Sequence, residues 1–302
     1  MKFFQRTFSI TKAAVLFFLM CLWIAPAGAQ FKTALERYTG DNAAGYLRPL
    51  VTALGNDFNR GWYHSAHIPR HGFYLRFGAN AMMAFIAKDD RTYQATTEGA
   101  FAPKRTVAAP SVVGDTKAIA VAGTGGTTYY FPGGFDIQSV LFATPQLTIG
   151  AIAGTELTFR YLALEIGEAE IGDVNLFGAG LRHSISQYFG DFPIAIAAGV
   201  FYQRFKLGGD FIDATAMHYG LQAGKSFSLL TLYAGFGFDT ANIKVEYEPA
   251  STPGERLKLD VDAENGARAT LGANLKLAIF NLNADYSVGA QSAFSAGFGL
   301  IF

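Results

Sequence analysis

From residue 73 onward, apolar and small or polar residues take alternate positions. A period of two is the signature of a strand with one greasy face. Ten segments carry it. The first, 73–86, sets Phe73, Leu75, Phe77, Ala79, Ala81, Met83 and Phe85 against Tyr74, Arg76, Gly78 and Asn80. The second ends through Leu147, Ile149 and Ala151, and Gly154 turns it into the third, with Leu157, Phe159 and Tyr161 against Thr158 and Arg160. The fourth sets Phe177, Ala179 and Leu181 against Gly178, Gly180 and Arg182; the fifth, 194–202, has an ambiguous phase. The sixth sets Met217, Tyr219, Leu221 and Ala223 against His218, Gly220, Gln222 and Gly224. The seventh sets Leu230, Leu232, Ala234, Phe236 and Phe238 against Thr231, Tyr233, Gly235, Gly237 and Asp239. The eighth, around Leu271 and Leu275, and the ninth, around Leu282 and Tyr286, repeat the pattern. The tenth carries Phe294, Ala296, Phe298, Leu300 and a final Phe302.

Connection lengths alternate as well. Short turns are expected near 153–154, 188–193, 226–229 and 278–280. Longer loops are expected at 87–134, 165–172, 207–214, 241–265 and 289–292. The first loop is rich in Gly, Pro and Thr, with room for a hairpin pairing 117–122 with 127–131. Ten strands is the expected count, and twelve follows if that hairpin joins the wall. Before the strands, Leu47, Leu50, Val51 and Leu54 fall at helical spacing, with Pro49 near the start and Gly55 at the end. A short helix is expected there, as a plug in a barrel or as a cap under its periplasmic, short-turn mouth.

The N-terminus reads as a secretory signal: Lys2, Arg6 and Lys12, then an apolar run over 13–24, then Ala27-Gly28-Ala29. The run is shorter than the ~20 residues that span hydrocarbon. Cleavage after Ala29 leaves no Cys, because Cys21 is the only one. That removes disulfide, thiolate-metal and thiol-nucleophile chemistry. The charges balance, with 24 basic and 24 acidic residues, so no nucleic-acid partner is implied. Signal, alternation, turn asymmetry and terminal aromatic strand together imply an all-β fold. It is a transmembrane antiparallel barrel in a bacterial outer membrane, closed because lipid leaves an open sheet edge without partners. The expected division is 1–29 signal peptide, 30–72 plug or cap, and 73–302 barrel. Lipid is one expected partner. The barrel-assembly machinery is another, engaged through the last strand by Phe294, Phe298, Leu300 and Phe302.

Several stretches resemble an uncharacterised family of bacterial outer-membrane barrel proteins, a domain of unknown function. They are Tyr46-Leu47-Arg48-Pro49-Leu50, Gly61-Trp62-Tyr63, Pro132-Gly133-Gly134-Phe135-Asp136, the run from Leu275 to Phe280, and Ala284-Asp285-Tyr286. The resemblance implies location and fold and brings no catalytic or ligand residues. A more distant resemblance is to fatty-acid-transporter barrels, in which an N-terminal segment plugs the lumen.

Ten strands at about 40° tilt enclose a backbone width of roughly 20 Å. Many inward positions are Gly, leaving room for a plug or a narrow path. Arg76, Arg160, Arg182, Lys225 and Lys276 are read as inward, toward the short-turn ends, and predict a basic belt in the lower lumen. Such a belt needs water or acids such as Glu36, Asp41 or Asp57. The belt suggests anion preference in a channel; pairing with the plug is the structural alternative. His218 and Asp239 are expected to face each other across strands six and seven, an arrangement that can orient a general base. With no second carboxylate pair, an ordinary polar pair is the expectation, and a barrel hydrolase ranks last. His64, His67 and His71 fit no standard zinc spacing. No metal or cofactor is expected. Trp62, Tyr63, Tyr129, Tyr130, Tyr202 and Tyr286 are candidates for interfacial girdles. The expected function is non-enzymatic and transport- or channel-related, through a partly plugged lumen passing an unspecified small solute. A structural barrel acting through its outer loops is the alternative.

Overall fold

The computed structural model describes residues 35, 37, 38, 40–165, 172–190, 192–209, 211–248 and 254–302. The signal peptide, its cleavage point and Glu36 lie outside them. The wall is built from β1 (Tyr74–Phe85), β6 (Ser139–Ile152), β7 (Thr155–Leu164), β8 (Val174–Ser184), β9 (Ala195–Leu207), β10 (Ile212–Phe227), β11 (Leu230–Tyr247), β13 (Ala267–Leu277), β14 (Phe280–Val288) and β15 (Ala293–Ile301). Every neighbour is antiparallel, and β10 closes on β11, so the ten strands form a closed barrel. The hairpins β2 (Thr92–Thr96) with β3 (Thr106–Pro110), and β4 (Ile119–Ala122) with β5 (Thr128–Phe131), form their own small sheets outside the wall. That rules out twelve strands. The strand β12 (Leu257–Asp262) lies along the far end of β11.

The register fixes the barrel's shape. Partners of Gln146 run one way through Arg160, Gly178, Gln203 and Ala216 to Ala241. The other way they run through Gly78, Gly299, Asn281 and Lys276 to Leu229. From Leu229 to Ala241 on one strand is a stagger of twelve residues. Ten strands with that stagger tilt by about 40° on a radius of about 10 Å.

Side chains alternate as the sequence pattern requires. Outward residues such as Tyr161, Phe177, Leu221, Phe236, Leu271 and Phe298 are exposed large apolar groups; Leu271 is 69 % exposed. At about 2.5 Å of axial rise per residue, this belt is roughly 25 Å tall, the thickness a transmembrane barrel presents to lipid. Inward residues Arg76, Gln146, Thr148, Thr158, Arg160, His218 and Asp239 are buried. Water would not leave this arrangement stable, with greasy residues outside and charges inside; hydrocarbon does. Among the described residues no helix is long and apolar enough to cross a membrane.

At one end the connections are tight. Ala153 and Gly154 both have left-handed backbone (φ 50° and 71°), the two-residue turn that matches strand twist. At the other end, β9 and β10 stay paired as far as Leu207 and Ile212, so the loop expected at 207–214 shortens to the residues between them. Helix α1 (Gly40–Phe58) also lies at this long-loop end, longer than the spacing predicted. Pro49 sits in its interior, and Gly55 does not stop it. A Cβ on Gly55 would lie 2.6 Å from the Ala241 methyl, so this glycine lets the helix approach the wall. Helix and hairpins share an apolar core of Tyr46, Leu47, Val51, Val112, Val113, Val121, Phe131, Ile243 and Val245. The Val112 N–H donates to the Tyr46 carbonyl (2.9 Å), and Asn42 Nδ2 to that of Thr96 (2.6 Å). The helix is therefore part of a cap, on the opposite mouth from the one anticipated.

Candidate functional site: the plugged lumen

Between Phe58 and Tyr74 the chain descends the barrel interior, and the wall grips it at every level. Near the long-loop end, Asn59 Nδ2 donates to the Thr240 carbonyl (3.0 Å), and Arg268 Nη1 to the Asn59 carbonyl (2.8 Å). Arg60 donates to Ser287 Oγ (2.5 Å) and the Gln291 carbonyl (3.2 Å). Lower, Arg160 donates to the Arg60 carbonyl (2.7 Å), Gln146 Oε1 (3.0 Å) and Gln203 Oε1 (3.0 Å), and stacks 3.6 Å above the Trp62 ring. That cation–π contact is fully desolvated, where such contacts are strongest. Gly178 and Gly235 make room for the plug: a Cβ on either would meet Trp62 (3.0 Å) or Tyr63 (2.7 Å).

Two charge clusters also hold the plug, the first toward the long-loop end and the second lower. In the first, His218 Nδ1 lies 2.7 Å from Asp239 Oδ1, and Arg268 Nη1 lies 3.1 Å from Asp239 Oδ2. The carboxylate accepts from Nδ1–H, so Nε2 is left to accept the Tyr63 hydroxyl at 2.7 Å. In the second, Arg182 donates to Glu156 Oε1 through Nε (3.1 Å) and Nη2 (2.5 Å), to Gln222 Oε1 (2.6 Å) and to the Ser65 carbonyl (2.7 Å). The Tyr74 hydroxyl donates to Glu156 Oε2, with His64 Nε2 3.6 Å away. Arg76 donates to Asn281 and Asn283, both at 2.9 Å.

The basic belt takes a different form from the one expected. Arg76, Arg160 and Arg182 face inward and are buried. Lys225 is exposed: it pairs with outward Leu232, so strand parity puts it on the lipid side of β10. Lys276 keeps the inward phase but sits exposed at the short-turn rim. The acids are wall residues, Glu156 and Asp239, and the plug contributes backbone carbonyls. Asp41 is exposed, and Asp57 is buried in α1 without a hydrogen bond of normal geometry. Burial pushes the Asp57 carboxyl well above the usual range, and the nearby Arg60 guanidinium and Ala84 backbone offset this only in part. Among the described residues, five buried guanidiniums (Arg60, Arg76, Arg160, Arg182, Arg268) thus share the interior with four buried carboxyls (Asp57, Glu156, Asp239, Asp285). The lumen is mixed in charge.

Glu156 and Arg268 were in phase with their inward neighbours, and that parity was the signal for them. Trp62 and Tyr63 line the lumen and take no part in a girdle, whereas Tyr130, Tyr202 and Tyr286 are exposed. Tyr129 packs against Phe131 in the cap (4.8 Å). Phe294, Phe298 and Phe302 are exposed and Leu300 half-exposed on the outward face of the wall. His67 and His71 are exposed and separate from buried His64, and among the described residues no three His, Cys, Asp or Glu converge as metal ligands. A void of about 10 Å³ remains beside Arg60, Trp62, Tyr63, Arg268 and Asp285, room for about one water.

Fold and interior define a ten-stranded transmembrane β-barrel closed by its own N-terminal segment. The chain belongs to the family of unknown function DUF6588, whose model matches residues 7–302. No curated protein matches it. Among solved structures it is similar to the outer membrane protease OmpT from Escherichia coli (8% identity, 78% of this chain and 98% of that chain, TM-score 0.34). It is also similar to the translocator domain of the autotransporter NalP from Neisseria meningitidis (14%, 76% and 88%, 0.29). A third likeness is to a deletion mutant of the monoaromatic hydrocarbon channel TodX (13%, 87% and 72%, 0.27).

Proposed function

We propose that this is a non-enzymatic outer-membrane barrel of the transport class, held shut at rest by residues 59–72. Its short turns face the periplasm, and its partners are lipid and the barrel-assembly machinery. The carrying observation is the chemistry of the plug–wall interface. A permanent stopper is best built from apolar side chains, because buried ion pairs are often no more stabilising than well-packed hydrophobic groups. Here the interface is Arg, Glu, Asp, His, Asn and Gln, whose partners water can replace when the segment moves. Both His218 nitrogens are engaged, which supports a polar latch over a general base. The near balance of guanidiniums and carboxyls favours a gated path over a fixed anion filter.

The test is planar-bilayer recording. Wild type should carry no steady current, and Trp62→Ala should give discrete openings. If folded plug variants stay silent, the lumen is not a path. The ordered cap of α1 and the hairpins supports the second reading, a barrel acting through its outer surface.

A further inference from the structure

The void beside the plug is walled by Arg60, Gly61 and Trp62 on one side and by Arg268, Thr270 and Asp285 on the other. All six are buried. Donors crowd this place. Arg60 Nη1 is buried without a hydrogen-bond partner, while Nε and Nη2 are held by Ser287 and Gln291. Among the described residues, the Gly61 and Trp62 backbone N–H groups donate to no protein group. The Arg60 N–H closes a last helical turn on the Asp57 carbonyl (3.2 Å), and Gly61 then takes a left-handed backbone (φ 70°). Such a step gathers successive N–H groups into the concave nests that hold anions. The charges point the same way. Three guanidiniums converge here: Arg60 and Arg268 in the wall of the void, and Arg160, whose Nη2 lies 3.2 Å from where a Gly61 Cβ would sit. Two carboxylates answer them. Asp239 pairs with Arg268 (3.1 Å), and Asp285 accepts the Tyr233 hydroxyl (3.0 Å). Asp57, one turn earlier, is kept protonated by its burial and adds no charge. One positive charge is left over, and a buried charge needs a partner.

We propose that this void is a binding site for one halide-sized monovalent anion, held by Arg60 Nη1 and the Gly61 and Trp62 N–H groups. A chloride ion is little larger than the water molecule the void can take. Water would meet part of the donor set and leave the surplus charge unanswered. A phosphate is too large for the space. The ion sits where the plug enters the lumen and ties Arg60 and Gly61 to the wall, so the grip on the plug depends on the anion. The inference goes beyond the gated-plug reading, because a permanently shut barrel would hold the same ion.

The test uses the full chain in phospholipid vesicles, with sodium chloride exchanged for sodium gluconate at constant ionic strength. Gluconate is too large to enter the void. Urea unfolding is followed by circular dichroism. The folding equilibrium constant should rise with chloride, approaching tenfold for each tenfold rise once the site fills. Arg60→Gln should remove that dependence. Wild-type crystals grown in sodium bromide should show an anomalous-scattering peak in the void, and Thr270→Leu, which fills the space and keeps every charge, should abolish it. Wild-type stability indifferent to chloride overturns the site, as does an equal dependence in Arg60→Gln. A void without an anomalous scatterer in bromide, or a peak that survives Thr270→Leu, overturns it too. If Arg60→Gln does not fold, the bromide peak decides. Silent bilayer recordings of folded plug variants would remove the gating reading and leave this site standing.

Discussion

Replacing Glu156 by Gln keeps its shape and removes its charge. Glu156 is fully buried and Arg182 almost so, with Arg182 nitrogens 2.5 and 3.1 Å from the same carboxylate oxygen. After the change, Arg182 keeps only neutral partners: Gln222, the Ser65 carbonyl and His64. Stranding one member of a buried pair costs about 3–5 kcal/mol. The Tyr74 hydroxyl also loses a charged acceptor, which adds about 1 kcal/mol. The expected destabilisation is therefore about 4–6 kcal/mol, a factor of at least about a thousand in the folding equilibrium. The assay is equilibrium urea unfolding in lipid vesicles, followed by fluorescence of Trp62, which sits between Arg160 and Phe201 in the plug. The control is Asp213→Asn at the exposed rim pair with Arg204 (2.6 Å), where about 1 kcal/mol or less is expected. Combining Glu156→Gln with Arg182→Met should recover part of the loss. If Glu156→Gln falls within about 1 kcal/mol of wild type, the pair does not anchor the plug, and the reasoning from burial fails.

Three further outcomes follow from the same geometry. Trp62→Ala empties the slot at Gly178 and should cost about 3–5 kcal/mol by urea unfolding, followed by far-UV circular dichroism because the variant lacks the fluorescent reporter, with the current described above. Asp57→Asn should stabilise the protein at pH 7–8. The folded carboxyl has a raised pKa, so the folded state holds its proton where the unfolded state releases it; wild-type stability falls as pH rises above the unfolded carboxylate range, and the variant's curve should be flatter. Because α1 lies at the long-loop end, Asp41→Cys should react with a membrane-impermeant maleimide on intact cells, and Lys276→Cys, at the short-turn rim, only after the outer membrane is opened; the reverse pattern would invert the proposed orientation.

The wall was legible because its physics is local. Lipid outside and a filled lumen inside force each strand to alternate, so ten segments and their turns follow from parity alone. Lys225 obeys the same parity: it shares the phase of Leu221 and Ala223 and faces out with them, against the inward expectation. Glu156 was passed over although Thr158 and Arg160 mark its side. The plug was not legible in this way. Residues 59–72 have no period, because each side chain answers to whichever wall residue lies opposite, and those are up to about 230 residues away in sequence. Arg60, Trp62 and Tyr63 therefore read as an irregular crossing. The length of α1 was missed for a similar reason. Pro49 suggested a helix start, but packing against β12 and the hairpins carries the helix through it.

The central claim is that the exterior of the wall faces hydrocarbon. Nitroxide labels at Leu232, Ala234, Phe236, Phe238, Thr240 and Lys244 along β11 measure this in vesicles through relaxation by dissolved oxygen and by a water-soluble nickel complex. Oxygen should dominate from Leu232 to Phe238, peaking near Ala234, and the nickel complex should take over by Lys244. Equal access of the nickel complex at Phe236 and Lys244 would put water where this structure requires lipid.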